Sequence, residues 1–371
     1  MLHAYTNGII ASPTGWLQGH TILTENGKVT ALVADGEVKE TVHTTDLQGD
    51  YIAPAFIDMQ IYGGGGELFS MYPSVQSLTT LYGYCKSGGA AYFMATIPTS
   101  STELMLAAMK AVKAYWEQGG QGLLGLHLEG PFFNPVKKGA HIEAYIKVPT
   151  AADIDWILEE GKGIVKMMTL APERCDIQLV KRLMDAGIII SAGHSNATYP
   201  EAYAGFEAGI PAATHLYNAM SGFQHREPGM PGAIFDHPKV MASIVVDGVH
   251  VNYNAVRISK KILGERLYLI TDAVDENLEG DYKYIRRPDR FVTPEGILSG
   301  SCLTMLQAVQ NCVTHVGIDL HEALRMAAEY PARLLTREVP LGMIAPGYEA
   351  AFVVLDRSLA LKQLLLPQTI S

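Results

Sequence analysis

The sequence predicts a (β/α)₈ barrel of the TIM type, with a small β-sandwich domain formed by both chain ends. About eight short apolar or β-branched runs alternate with helix-length gaps through the middle of the chain. Polar residues suited to chemistry stand at or just past the ends of several of these runs. The two chain ends read differently, as short strands separated by turn residues.

In the first fifty residues, Asn7-Gly8, Asn26-Gly27, Asp35-Gly36 and Gly49-Asp50 bracket segments such as Gly19–Thr24 and Lys28–Val33. Asn-Gly and Asp-Gly between such runs are hairpin signals, because both residues tolerate the positive φ that a tight turn needs. Near the other end, Pro346-Gly347-Tyr348 precedes a strand over Ala351–Asp356. Residues 1–51 and 346–371 are therefore expected to form one discontinuous small domain, with the barrel over 52–345.

Within the barrel the predicted strands are Ile52–Ile61, Ala91–Ile97, Leu123–Leu128, Val165–Leu170, Ile188–Ala192, Ala212–Thr214, Ser243–Val246 and Leu267–Ile270. The helix after the second strand starts at an S-x-x-E capping box, Ser100 to Glu103, ahead of Leu104, Ala107, Ala108 and Ala111. A doubly wound open sheet would alternate in the same way. It would gather its chemistry at one switch point, whereas a barrel gathers it from many strand ends around one mouth. Gln60, Glu129, His194, His215, His250 and Asp272 each stand at or just past the end of a different strand, which favours the barrel. No G-x-G-x-x-G follows a strand, and the Gly63–Gly66 run lacks the spacing and lysine of a phosphate loop.

Composition excludes several classes. A formal net charge of −10 does not suit a surface that tracks a nucleic-acid backbone, although one or two local bases suffice for a small anion. No apolar run reaches the length of a membrane span, and the N-terminal stretch has no basic region followed by an apolar core, so a soluble cytoplasmic protein is expected. Cys85, Cys175, Cys302 and Cys312 have neither C-x-x-C spacing nor the density of a disulfide scaffold, and read as reduced, small buried hydrophobes.

A catalytic metal site needs about three protein ligands and one open position. Glu129 in His127-Leu128-Glu129-Gly130-Pro131, His194 in Gly193-His194-Ser195 and His215 in Thr214-His215-Leu216 can supply the three from separate strand ends. Either histidine alone reads as an ordinary hydrogen-bonded residue. Together with two acids at one mouth that reading weakens, since so much buried polarity is costly unless paired or metal-bound. Asp272, just past Leu267–Ile270, suits a base that takes a proton from water and returns it to a leaving amine. Its other reading is a helix N-cap.

The runs Pro54-Ala55-Phe56-Ile57-Asp58, Gly125-Leu126-His127-Leu128-Glu129-Gly130-Pro131-Phe132, Ser191-Ala192-Gly193-His194-Ser195-Asn196-Ala197-Thr198, Thr214-His215-Leu216-Tyr217-Asn218-Ala219-Met220, Arg226-Glu227-Pro228-Gly229 and Leu298-Ser299-Gly300-Ser301 span nearly the whole chain. In combination and order they resemble the N-acetylglucosamine-6-phosphate deacetylases, a branch of the amidohydrolase superfamily. The resemblance implies release of acetate from N-acetylglucosamine 6-phosphate in amino-sugar catabolism. It implies one divalent ion per chain, Zn²⁺ or Fe²⁺, on Glu129, His194 and His215, with Asp272 as general base and acid. By the same matching His141 polarises the acetamide carbonyl, Asn218 and the Ala219 backbone meet the phosphate, Arg226 adds a charge-assisted contact and His250 touches the sugar or its phosphate. It further implies a homodimer, with Arg226 or His250 acting across the subunit boundary.

The chain departs from the wider pattern in three places. Gln60 and Tyr62 stand where many amidohydrolases carry H-x-H, so a second metal is not expected. Gln60 would instead hydrogen-bond water on the single ion, and no role follows for Tyr62. The stretch Asp275–Gly296 and the end after Asp356 are short, which implies a reduced substrate cover and small domain. Other readings remain: a deacetylase of the galactosamine epimer, an amidohydrolase of another amide, and a barrel kept only as an oligomeric scaffold.

Overall fold

The computed structural model describes residues 2–37 and 42–367. Eight parallel strands run in sequence order, each hydrogen-bonded to the next: β1 (Phe56–Ile61), β2 (Ala90–Pro98), β3 (Leu123–Glu129), β4 (Val165–Leu170), β5 (Ile189–Ala192), β6 (Ala212–Ala213), β7 (Met241–Ile244) and β8 (Leu267–Leu269). The ring closes between β8 and β1, where the Asp272 N–H donates to the Gln60 carbonyl at 2.9 Å and the Tyr62 N–H to the Ala273 carbonyl at 2.9 Å. The barrel expected from the sequence is thus present. Its seam lies beside two of the predicted site residues, Gln60 and Asp272.

The predicted strand Ile52–Ile61 is two strands in two sheets. Tyr51–Pro54 pairs antiparallel with Phe352–Leu355 near the C-terminus, and β1 begins only at Phe56. Pro54 has no N–H to give a ladder, and the chain changes sheets beside it. Apolarity alone could not show this, because both halves are buried. The seventh strand also lies two residues earlier than Ser243–Val246.

The first of two compact units comprises the described residues within Met1–Ile57, Cys85–Tyr92 and Met305–Ser371; the second comprises Asp58–Tyr84 and Phe93–Thr304. In the first unit, strands from both chain ends form a four-stranded and a five-stranded sheet. Tyr5, Ile22 and Val29 from one sheet and Ile10, Ile52, Phe352 and Val354 from the other share one buried apolar cluster. Asn26-Gly27 makes the expected hairpin between His20–Glu25 and Lys28–Ala34, both residues having positive φ, 51° and 72°. Asn7-Gly8 does not: the strands on either side of it, His3–Thr6 and Ile9–Ser12, lie in different sheets.

In the second unit the helix after β2 spans Thr102–Glu117 and is capped by Ser101, whose side chain accepts from the Leu104 N–H. The expected cap, Ser100, instead donates its hydroxyl to the Pro98 carbonyl at 2.7 Å. The buried face is Met105, Ala108, Met109, Ala111, Val112 and Tyr115, so Ala108 and Ala111 are buried as expected, whereas Ala107 is exposed and Leu104 half-buried. Below the barrel mouth a chain of buried polar side chains runs from β3 to β5 and Thr214. His127 bonds Thr169 at 2.7 Å, Thr169 bonds Thr214 at 2.8 Å, and Ser191 bonds Thr214 at 2.6 Å. Such a network fixes the strands carrying the site without leaving an unpaired buried dipole.

Candidate metal centre and substrate cleft

Glu129 ends β3 with its carboxylate buried. His194 and His215 follow β5 and β6 at once, on left-handed backbone with φ of 47° and 37°, and Asp272 follows β8 with φ 54°. Non-glycine residues rarely hold this conformation, which costs of order 1–3 kcal/mol each and persists where the surrounding structure enforces it. Here it turns each side chain from the strand direction into the mouth. Asp272 precedes no helix, so the N-cap reading falls away.

The donor atoms meet closely. Glu129 Oε1 lies 3.1 Å from His215 Nε2 and 3.4 Å from His194 Nε2, and the two ring nitrogens are 3.1 Å apart. Bonds of about 2.0–2.1 Å from a tetrahedral ion span edges of about 3.3–3.4 Å, so this triangle is close to the size of one face. His141 also approaches, with Nε2 3.0 Å from Glu129 Oε2, and the donor atoms of Glu129, His141 and His194 all lie within 4.8 Å of one another.

Ring protons separate the histidines. The His194 Nδ1 faces the Lys137 carbonyl at 3.0 Å, an acceptor only, so Nδ1 carries the proton and Nε2 presents a lone pair. His141 is the reverse: the Thr99 N–H donates to its Nδ1 at 3.2 Å, so the proton sits on Nε2. His194 can thus bind a cation, while His141 offers a hydrogen-bond donor. Glu129, His194 and His215 could hold one divalent ion, with His141 and Asp272 beside it.

Electrostatics agree with this division. Burial pushes Glu129 toward its neutral form, but His194 and His141 outweigh it and hold the carboxyl well below its usual range. Burial, with His141 nearby, lowers His194 and favours its neutral ring. Burial raises Asp272 to about 7, with His215 opposing the rise and Glu129 adding to it. A carboxyl so poised can exchange a proton near neutral pH. Burial alone would neutralise His250, yet the Asp247 carboxylate raises it. Both ring nitrogens of His250 face acceptors at 2.6 Å, Asp247 Oδ2 and the Ser299 carbonyl, so both carry protons and the ring is a fixed cation.

Glu129, His141, His194, His215, Asn218, Ala219, His250 and Asp272 all line one open cleft. The Asn218 amide nitrogen and the Ser299 hydroxyl are buried there with no hydrogen-bond partner among the described residues. Gln60 lies beneath the cleft and donates to Glu129 Oε1 at 2.8 Å and Asp272 Oδ1 at 2.9 Å. Arg226 is exposed on the turn after Met220, outside the lining of the cleft.

Several residues that position the site were missed from the sequence. Glu173 accepts from Asn134, Ser195 and the Asn196 N–H, tying the loops after β3, β4 and β5 together. The Lys137 carbonyl and the Thr99 N–H set the two histidine tautomers through the backbone, which leaves no residue-type signal. Tyr282 and Tyr284, from the short Asp275–Gly296 stretch, form part of the cleft wall.

A parallel barrel that brings a carboxylate, imidazoles and a second, half-neutral carboxylate together at its strand ends is a scaffold for metal-assisted hydrolysis. The chain belongs to the amidohydrolase family, whose model matches residues 51–369. It is 36% identical over 365 residues to the N-acetylglucosamine-6-phosphate deacetylase of Haemophilus influenzae, covering 95% of each chain. It is 31% identical over 375 residues to the N-acetylgalactosamine-6-phosphate deacetylase of Escherichia coli O157:H7, covering 98% of each. The crystal structure of N-acetylglucosamine-6-phosphate deacetylase from Pasteurella multocida superposes with a TM-score of 0.94 at 32% identity, over 100% of this chain and 99% of that one. These likenesses bear out the resemblance read from the motifs. No described helix is long and apolar enough to cross a membrane.

Proposed function

We propose that this chain hydrolyses the N-acetyl group of N-acetylglucosamine 6-phosphate, giving glucosamine 6-phosphate and acetate. The observation that carries the reading is the closed triangle of Glu129 Oε1, His194 Nε2 and His215 Nε2, flanked by the Asp272 carboxyl and the His141 N–H. Two imidazoles and one carboxylate suit Zn²⁺ or Fe²⁺. When bound, the ion acidifies water and polarises a carbonyl oxygen.

The remaining steps belong to side chains. Asp272 takes a proton from the attacking water and passes it to the departing amine, a role that needs a carboxyl able to exist in both states near pH 7. The His141 Nε2–H donates to the acetamide oxygen as negative charge develops there, leaving its resting partner, Glu129 Oε2. The unpartnered Asn218 amide, the backbone at Ala219 and the His250 cation suit the phosphate and sugar hydroxyls. Arg226 would reach the phosphate of a second copy's substrate, which calls for a homodimer. Reduced thiols and a phosphorylated sugar substrate suit a cytoplasmic setting.

The test is acetate release from N-acetylglucosamine and N-acetylgalactosamine, with and without the 6-phosphate, by protein of known metal content. Fastest turnover of the phosphorylated gluco epimer is expected. Preference for the galacto epimer would move the assignment to the second relative's reaction, and no release from any of the four would end the deacetylase reading.

A further inference from the structure

We propose that Tyr62 is a positioning residue that occupies Glu129 Oε2 and so leaves the carboxylate only Oε1 with which to bind the ion. The proposal rests on Glu129 being a ligand, as in the function proposed above.

The hydroxyl of Tyr62 bonds Glu129 Oε2. A carboxylate oxygen only accepts, so the tyrosine donates its one proton there. The Gln60 amide nitrogen lies 3.0 Å from the same hydroxyl, with its two hydrogens shared among Tyr62, Glu129 Oε1 and Asp272 Oδ1. The second donor to Oε2 is the His141 Nε2–H at 3.0 Å, itself aimed by the Thr99 N–H on Nδ1. Oε1 alone faces the nitrogens of His194 and His215. The two oxygens of one buried carboxylate thus differ: Oε2 is held by Tyr62 and His141, whereas Oε1, which also accepts from the Gln60 amide at 2.8 Å, is the one turned to the ligand triangle.

The tyrosine cannot easily move away. Its N–H is bound to the Ala273 carbonyl across the barrel seam and its own carbonyl accepts from Ser70. Its ring packs in a buried cluster with Leu68, Val274, Tyr282, Tyr284 and Phe291. A carboxylate free to bind through both oxygens would fill the position a catalytic site keeps open. When His141 turns to the acetamide carbonyl, Tyr62 is the donor that stays on Oε2.

The experiment uses the full chain, stripped with a chelator and reloaded with Co²⁺, as wild type and as Tyr62→Phe, which keeps the ring and removes only the hydroxyl. Loss of a hydrogen bond to a ligand typically costs about 10–100-fold in metal affinity, and that weakening is expected here. The visible Co²⁺ bands should also lose intensity, because a second carboxylate oxygen raises the coordination number. Wild-type affinity together with wild-type bands in Tyr62→Phe would reduce the residue to packing and overturn the proposal. Should the variant not fold, a crystal structure of the zinc-loaded wild type decides: Oε2 held by Tyr62 and away from the ion supports the assignment, and both oxygens on the ion overturn it. Neither readout uses substrate. Protein that met these expectations but released no acetate would refute the proposed reaction while leaving this assignment intact.

Discussion

His194 and His215 leave neighbouring barrel strands on left-handed backbone, and their Nε2 atoms meet 3.1 Å apart. One of those nitrogens presents a lone pair fixed by the Lys137 carbonyl, and a carboxylate oxygen closes the triangle. Strain at two successive strand ends, spent on bringing like donors together, makes sense if a cation joins them.

One tightly held divalent ion per chain is therefore expected, since the ligand triangle is a single complete set and Gln60 and Tyr62 are engaged with Glu129. Elemental analysis after loading and desalting measures this. His194→Ala or His215→Ala should lower the content to a small fraction of wild type. Two ions per chain, both required for turnover, would contradict the single centre.

Asp272→Asn should retain the metal and the fold and lower kcat by about 10²–10⁴, the range for losing a positioned acid and base. The amide matches the shape of the carboxyl but cannot accept the proton. Near-native kcat at normal metal content would reassign Asp272 to a structural role.

Asp58 carries a stability prediction. It is fully buried, accepts from Thr271 Oγ1 at 2.5 Å, and burial raises its carboxyl to about 6 against the hydrogen bonds that oppose the shift. Between about pH 4 and 6 the folded chain holds a proton that the unfolded chain has released, so stability from this group is greatest below pH 4 and falls as pH rises to 6. Two pKa units correspond to about 3 kcal/mol. In urea unfolding, wild type minus Asp58→Asn should decline by up to about 3 kcal/mol from pH 4 to pH 6 and then level off. A difference that is flat, or that rises with pH, would show that the hydrogen bonds from Thr271 and Gln60 prevail over burial.

Arg226→Ala should cut kcat/KM on the phosphorylated sugar by roughly 10- to 150-fold, from the about 1.5–3 kcal/mol of a hydrogen bond to a charged group. The effect should fall on KM and leave the unphosphorylated sugar unchanged. Because Arg226 lies outside the cleft of its own chain, mixing Arg226→Ala with Asp272→Asn subunits should restore activity in heterodimers. Equal losses on both sugars would mean a general effect on the pocket, and failure of mixing to restore activity would place the contact within one chain.

The sequence by itself determined the alternation that makes a barrel, because parallel strands buried on both faces must be apolar runs spaced by helices. It also marked Glu129, His194, His215 and Asp272, since chemistry at a barrel mouth must sit just beyond strand ends. What it could not determine depended on partners distant along the chain. The division of Ile52–Ile61 between two sheets is set by pairing with Phe352–Leu355, some three hundred residues away. The choice of Ser101 over Ser100 as cap turns on a hydroxyl satisfied locally by Pro98. Above all, the tertiary structure decided which histidine offers a lone pair and which a proton. That is fixed by a carbonyl at Lys137 and an N–H at Thr99, and every residue type carries the same backbone groups apart from the missing N–H of proline.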